Sequence, residues 1–120
     1  MEKTILPLLA VLSFSAPAFA EGDADAGEKV FKKCAACHRV EPGKRKPGPH
    51  LQGIFGREAA TVEGFKYSKS MISSGITWDA ATLAAFLTDP KKLVKGTKMS
   101  FRGIKDSDDL ADLLAYLEGL

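Results

Sequence analysis

Cysteine is scarce, with two residues, Cys34 and Cys37, in a chain of 120. That is too few for the disulfide framework of a small secreted domain. Histidine is equally rare. His38 and His50 are the only two, which leaves a zinc site few ligands to draw on. Neither sign of charge dominates: 17 Lys and Arg stand against 15 Asp and Glu, a net of +2. A strongly basic nucleic-acid arm is thereby excluded, and no nucleic-acid partner is expected. No strand-like alternation, internal repeat or low-complexity tract stands out. Neither a nucleophile–base set nor a phosphate-cradling glycine loop is present. Past the first twenty residues no apolar run is long enough to span a membrane. What is there is a chain 45% hydrophobic and 27% charged, too apolar for disorder and long enough for one domain.

The first twenty residues stand apart. Lys3 precedes an apolar stretch from Thr4 to Phe19, which closes on Ala18-Phe19-Ala20 before polar Glu21-Gly22-Asp23. A positive start, an apolar middle and an A-x-A ending make a secretory signal peptide over residues 1–20. The alternative is an uncleaved anchor, but Pro7, Ser13, Ser15 and Pro17 interrupt the run. Residues 21–120 form the remaining domain, 100 residues long. A domain that small buries a modest fraction of its surface and is marginal alone. It is expected to be soluble.

Spacing predicts a helix over 23–37, with Asp23 and Asp25 at its positive end and Val30, Phe31 and Cys34 sharing a face with Gly27. Pro42, Gly43, Pro47, Gly48, Pro49, Gly53, Gly56 and Gly64 mark residues 39–64 as loop. Short helices are expected over 67–74, ended by Gly75, and over 79–88, with Leu83, Phe86 and Leu87 inward and Pro90 beyond the end. Residues 91–105 read as loop. The last helix, 107–118, carries Leu110, Leu113, Leu114 and Leu117 at helical spacing. Asp106 and Asp109 resemble a capping pair with Asp in place of Glu. Loops this long in so small a domain need something to wrap around.

Cys34-Ala35-Ala36-Cys37-His38 is C-x-x-C-H, the attachment signature of a c-type haem. Two intervening residues bring both sulfurs to one side of a helical turn, where each can form a thioether with a haem vinyl group. The next imidazole then lies under the iron as proximal ligand. A thioredoxin-like redox pair expects alternating strands and helices, which are absent. A zinc or dithiol protein without haem is the remaining alternative. For the sixth iron position His50, Met71, Met99 and the lysines are available. His50 is twelve residues past His38 and reads as an ordinary loop histidine. Met71 falls in a predicted helix, where methionine fills core. Met99, in the loop Lys95-Gly96-Thr97-Lys98-Met99, leads by elimination.

Over residues 22–118 the chain resembles the class I c-type cytochromes, specifically the cytochrome c2 group, bacterial relatives of mitochondrial cytochrome c. The haem motif carries the resemblance together with Gly48-Pro49, Gly53-Ile54-Phe55-Gly56-Arg57 and Gly64-Phe65-Lys66-Tyr67. It continues in Ile76-Thr77-Trp78, in Pro90-Lys91-Lys92 leading to Gly96-Thr97-Lys98-Met99, and in Asp112-Leu113-Leu114-Ala115-Tyr116-Leu117. It implies an all-α fold, about four helices and long loops wrapped around one haem c held covalently by Cys34 and Cys37. It also implies His38 and Met99 as axial ligands, and a Pro49 carbonyl accepting from the far nitrogen of His38. Tyr67 and Trp78 would donate to a buried haem propionate, with Arg57 and Thr97 nearby. Gly27 would let the first helix cross closely against Tyr116. Two positions depart from the family: Phe86 stands where a tyrosine usually touches the methionine sulfur, and Met71 where an asparagine often holds a water. One residue fewer separates His38 from Pro49 than in the mitochondrial pattern.

The expected function is that of a monomeric periplasmic one-electron carrier and not an enzyme. The runner-up is a peroxidase-like haem enzyme or a small-ligand sensor with a displaceable sixth ligand. Lys32, Lys33, Lys91, Lys92, Lys98 and Lys105 flank the segments expected around the haem opening. Asp23, Asp25, Glu28, Asp106, Asp108 and Asp109 lie at helix starts. Such a lysine-rich face suits acidic redox partners, for example a quinol–cytochrome c oxidoreductase, a terminal oxidase or a photosynthetic reaction centre.

Overall fold

The computed structural model describes residues 22–120, with Pro7 and Ala10 from the segment before them. The predicted signal peptide lies outside the described residues. Five helices follow in order: α1 Ala24–Ala35, α2 Lys69–Ile72, α3 Ala80–Thr88, α4 Pro90–Leu93 and α5 Ser107–Glu118. Among the described residues no strand forms, and Glu58 and Thr77 make an isolated antiparallel bridge.

Each helix begins where a side chain replaces the missing backbone acceptors of its first turn. The Asp23 carboxylate accepts from the Asp25 and Ala26 N–H groups. Ser68 Oγ accepts from the Met71 N–H at 3.1 Å. Asp79 and Thr82 form a reciprocal capping box, not foreseen from the sequence, and these bonds hold the Asp79 carboxyl below its usual range. At α5 the Asp106 carboxylate accepts from the Asp109 N–H at 2.9 Å. Losing a single cap costs about 1 kcal/mol. Asp106→Ala is therefore expected to lower the melting temperature by roughly 4–8 °C in a thermal scan.

The first three predicted helices shorten at their ends, because Asp23, Ser68 and Asp79 are caps and not first-turn residues. The fourth helix, α4, corrects the reading of the segment after α3 as continuous loop. Pro90 does stop α3, but it also opens α4 as its first residue, where its fixed φ fits and its missing N–H costs nothing. The Asp89 carboxylate caps that turn from the Lys92 N–H at 3.3 Å.

The core forms where α1 and α5 cross. Gly27 is buried at the crossing, and the rings of Phe31 and Tyr116 meet at 5.1 Å. Leu113 is fully enclosed, and α3 adds Leu83, Phe86 and Leu87. Ile54, Trp78, Val94 and Ile104 come from the loops, so the loops are packed against the core and not draped over it. Val30, Cys34, Met71 and Met99 pack against that core while half-buried.

Candidate haem site

The C-x-x-C-H motif lies where α1 ends. Ala35 closes the helix, and the Cys37 and His38 N–H groups both turn back to the Cys34 carbonyl, at 3.1 and 2.9 Å. The turn leaves Cys34 half-buried and Cys37 exposed. Burial, seconded by Cys37 and opposed by Lys33, pushes the Cys34 thiol up.

His38 is held from the other side by the next loop. Its Nδ1 lies 2.7 Å from the Pro49 carbonyl. A carbonyl only accepts, so Nδ1 carries the proton and Nε2 keeps its lone pair. A Cβ on Gly48 would fall 2.4 Å from His38 Cε1, so the ring rests directly on bare backbone. Burial pulls the His38 pKa down, the Pro49 bond pushes it up and the Arg57 cation pulls it down. The net lowering keeps the ring neutral, the form a metal requires.

Three further bonds fix the loop that does this. Gly48 N–H donates to the Cys37 carbonyl at 2.7 Å, and the Leu51 and Gln52 N–H groups donate to Arg39 and Val40. Lys46 Nζ reaches the Ala35 carbonyl at 2.8 Å, placing a cation on an end carbonyl of α1. Sequence reasoning gave Lys46 no role, and a lone loop lysine carries no signal for it. Gly48 was legible only as part of a motif, although a glycine between two prolines hints at a close backbone approach.

Arg57 and Trp78 are brought together by a pairing of two short segments. Gly56 N–H donates to the Trp78 carbonyl at 2.7 Å, Trp78 N–H to Arg57 at 2.9 Å and Ala59 N–H to Ile76 at 2.8 Å. Arg57 Nη2 donates to the His50 carbonyl at 2.8 Å. Burial pulls the Arg57 guanidinium below its usual range. The Tyr67 hydroxyl accepts the Val62 N–H at 3.0 Å, which leaves its own proton to give. Trp78 is buried with its ring 5.1 Å from that of Phe86.

Met99 follows a turn in which Gly96 has φ +83, open to glycine at little cost. The Met99 N–H donates to Thr97 Oγ1 at 3.3 Å. That bond fixes the backbone that carries the thioether.

His50 is a partly exposed loop histidine, as expected. Its carbonyl serves Arg57, and its Nδ1 is buried without a partner among the described residues. Lost hydration, and then the Arg57 cation, pull its pKa below the usual value. The unfolded chain therefore takes this proton first. The stability tied to His50 is complete above about pH 6.5 and declines as pH falls below it. In denaturant titrations His50→Asn is expected to lose less stability than the wild type between about pH 7 and 5.

Two thiols one helical turn apart, a neutral imidazole with a free Nε2 and a half-buried thioether are the donor set of a covalently attached haem, and the residues fit that group. A cytochrome c family model matches residues 24–120. This chain belongs to the cytochrome c family. Members of the family are haem c electron carriers, and this cytochrome carries one covalent haem c on Cys34 and Cys37. It is 45% identical over 119 residues to the cytochrome c2 of Blastochloris viridis, covering 98% of this chain and 93% of that protein. The cytochrome c2 of Rhodoblastus acidophilus is 50% identical over 97 residues, covering 80% and 91%. Among solved structures, cytochrome cH from Methylobacterium extorquens superposes with a TM-score of 0.78 at 47% identity, covering 82% of this chain and all of that one. No helix among the described residues of this cytochrome is long and apolar enough to cross a membrane.

Proposed function

We propose that this cytochrome is a soluble periplasmic one-electron carrier whose haem iron is held by His38 and Met99, exported by removal of residues 1–20. The observation that carries the ligand assignment is the 2.7 Å contact between His38 Nδ1 and the Pro49 carbonyl, which commits one ring nitrogen and leaves the other for the metal. When bound, the haem supplies a one-electron couple, and a thioether ligand raises its potential. The chain's residues do the rest. Cys34 and Cys37 hold the ring in one orientation. Pro49 and Gly48 fix the imidazole plane. Thr97 steadies the backbone of Met99. Tyr67, Trp78, Arg57 and Thr97 supply hydrogen-bond donors for a propionate that is otherwise costly to bury. Were His38 and Met99 both to hold the iron, no coordination site would stay open, and the protein would carry electrons and turn over no substrate.

The partners are acidic faces on membrane redox complexes such as a quinol–cytochrome c oxidoreductase, a terminal oxidase or a photosynthetic reaction centre. Lys91 and Lys92 lie on α4 and Lys98 beside Met99, all exposed. Steering by such a face raises association rates by about 10–10³. The rate of reaction with an acidic redox partner is expected to fall about tenfold or more from low to high salt. A flat salt dependence overturns the docking assignment. A high-spin spectrum that shifts at once with carbon monoxide or cyanide overturns the carrier and favours an enzyme or sensor.

A further inference from the structure

A cleft of about 410 Å³ opens between the 39–50 loop and the segment 62–65, with Gly48 and Pro49, which support His38, in its lining. Its lining collects Arg39, Lys44, Arg45 and Lys46 against one acidic residue, Glu63. That is a local excess of three positive charges, more than the net +2 of the whole chain. Like charges this close repel one another and favour an anion between them. Two of the four also brace the cleft. Arg45 Nη2 donates to the Gly64 carbonyl at 2.7 Å, and Lys46 Nζ to Ala35. The first bond ties the two walls together and the second anchors the loop to the end of α1, and both fix where the charges stand. The rest of the Arg45 fork, the Arg39 guanidinium and the Lys44 ammonium are left for a ligand. Arginine forks match the oxygens of a phosphate group in pairs. The opposite wall sets apolar Val62 and Phe65 on either side of Glu63, the one acidic side chain in the lining. The volume is at the lower end of the range for small-ligand pockets, which suits a compact ligand of several heavy atoms.

We propose that this cleft is a binding site for a compact multivalent phosphate anion of the pyrophosphate class. Arg39, Lys44 and Arg45 contact its oxygens, and Glu63 limits its affinity. The cleft shares Gly48 and Pro49 with the support of His38 but is lined by neither His38 nor Met99, and it does not depend on the identity of the sixth ligand. Occupancy neutralises a cationic patch and thereby retunes the electrostatic approach of charged partners.

The test is a titration of the reduced, haem-loaded protein with sodium pyrophosphate at low ionic strength, followed by amide NMR shifts and calorimetry. A single saturable site is expected, with the shifts confined to residues 39–50 and 62–65. Lys44→Gln is expected to weaken binding about three- to fivefold, the scale of one partly exposed charge contact, and Glu63→Gln to tighten it by a similar factor. The second variant guards the first, since damage to the fold does not improve affinity. Lys29→Gln, which removes an exposed charge on α1, leaves binding unchanged. Absence of saturation overturns the proposal. So do shifts centred on Lys91, Lys92 and Lys98, or equal weakening by Lys29→Gln. Binding to phosphatidylglycerol vesicles without binding to pyrophosphate assigns the cleft to a lipid surface and also overturns it.

Discussion

Met99→Ala is expected to abolish the weak far-red band of thioether ligation to ferric iron. It is also expected to open the haem to immediate binding of carbon monoxide and cyanide. Of the two other non-lysine candidates for the sixth position, Met71 is half-buried against the core within α2 and the His50 carbonyl is tied to Arg57. Neither is free to swing onto the iron without unpacking its own segment. Alanine has no donor atom, so the position falls to water or stays vacant. Axial ligands command about 0.8 V of haem potential, and exchange of a thioether for water is expected to lower the potential by a large share of that range. Optical redox titration of the variant measures it. An unchanged far-red band would place the ligand elsewhere and remove the basis for a closed, carrier-type iron.

The second large effect concerns stability. At Gly27 two physical arguments have opposite signs. Helix propensity alone favours Gly27→Ala by up to about 1 kcal/mol at this fourth residue of α1. The packing opposes it: an added Cβ would stand 1.9 Å from the Asp112 carbonyl oxygen and 2.8 Å from Tyr116 Cβ. The oxygen belongs to the backbone of α5, which cannot rotate away, so the two helices must part. Parting them separates Phe31 from Tyr116 and opens the enclosure around Leu113. Overpacking of this kind costs about 1–3 kcal/mol, and the backbone contact puts this case at the upper end. The steric term wins. A net loss of about 2 kcal/mol is expected, with a melting temperature lower by roughly 8 °C or more. A melting temperature raised by the substitution would show that the helices have room and that propensity governs the position.

The legible parts of the fold were those whose signal is local. The α5 leucines recur at helical spacing, and the observed helix has the boundaries the pattern predicted, 107–118. The inward face of α3 was legible for the same reason, and Leu83, Phe86 and Leu87 are all buried. The α4 turn was not, because one proline is both a stop for the helix before it and a start for the one after it. The pairing of residues 56–59 with 76–78 was equally hidden. It spans too few residues to show a period, and its bonds join backbone groups that every residue has.

The same division runs through the site. The spacing of Cys34, Cys37 and His38 by itself determined that the chain carries haem, since the geometry of thioether attachment leaves its mark on adjacent residues. The signal-like start, the even charge and the run of prolines and glycines also belong to the sequence alone. The tertiary structure decided what those residues rest on. It set His38 on the bare backbone of Gly48, tied its Nδ1 to Pro49 and put the Lys46 ammonium on the end of α1. It also gathered four cations from one loop against the segment 62–65. These contacts join residues that only chain folding brings within reach. Their chemistry was present in the sequence, but their distances were not, and hydrogen bonds and charge effects depend on distance.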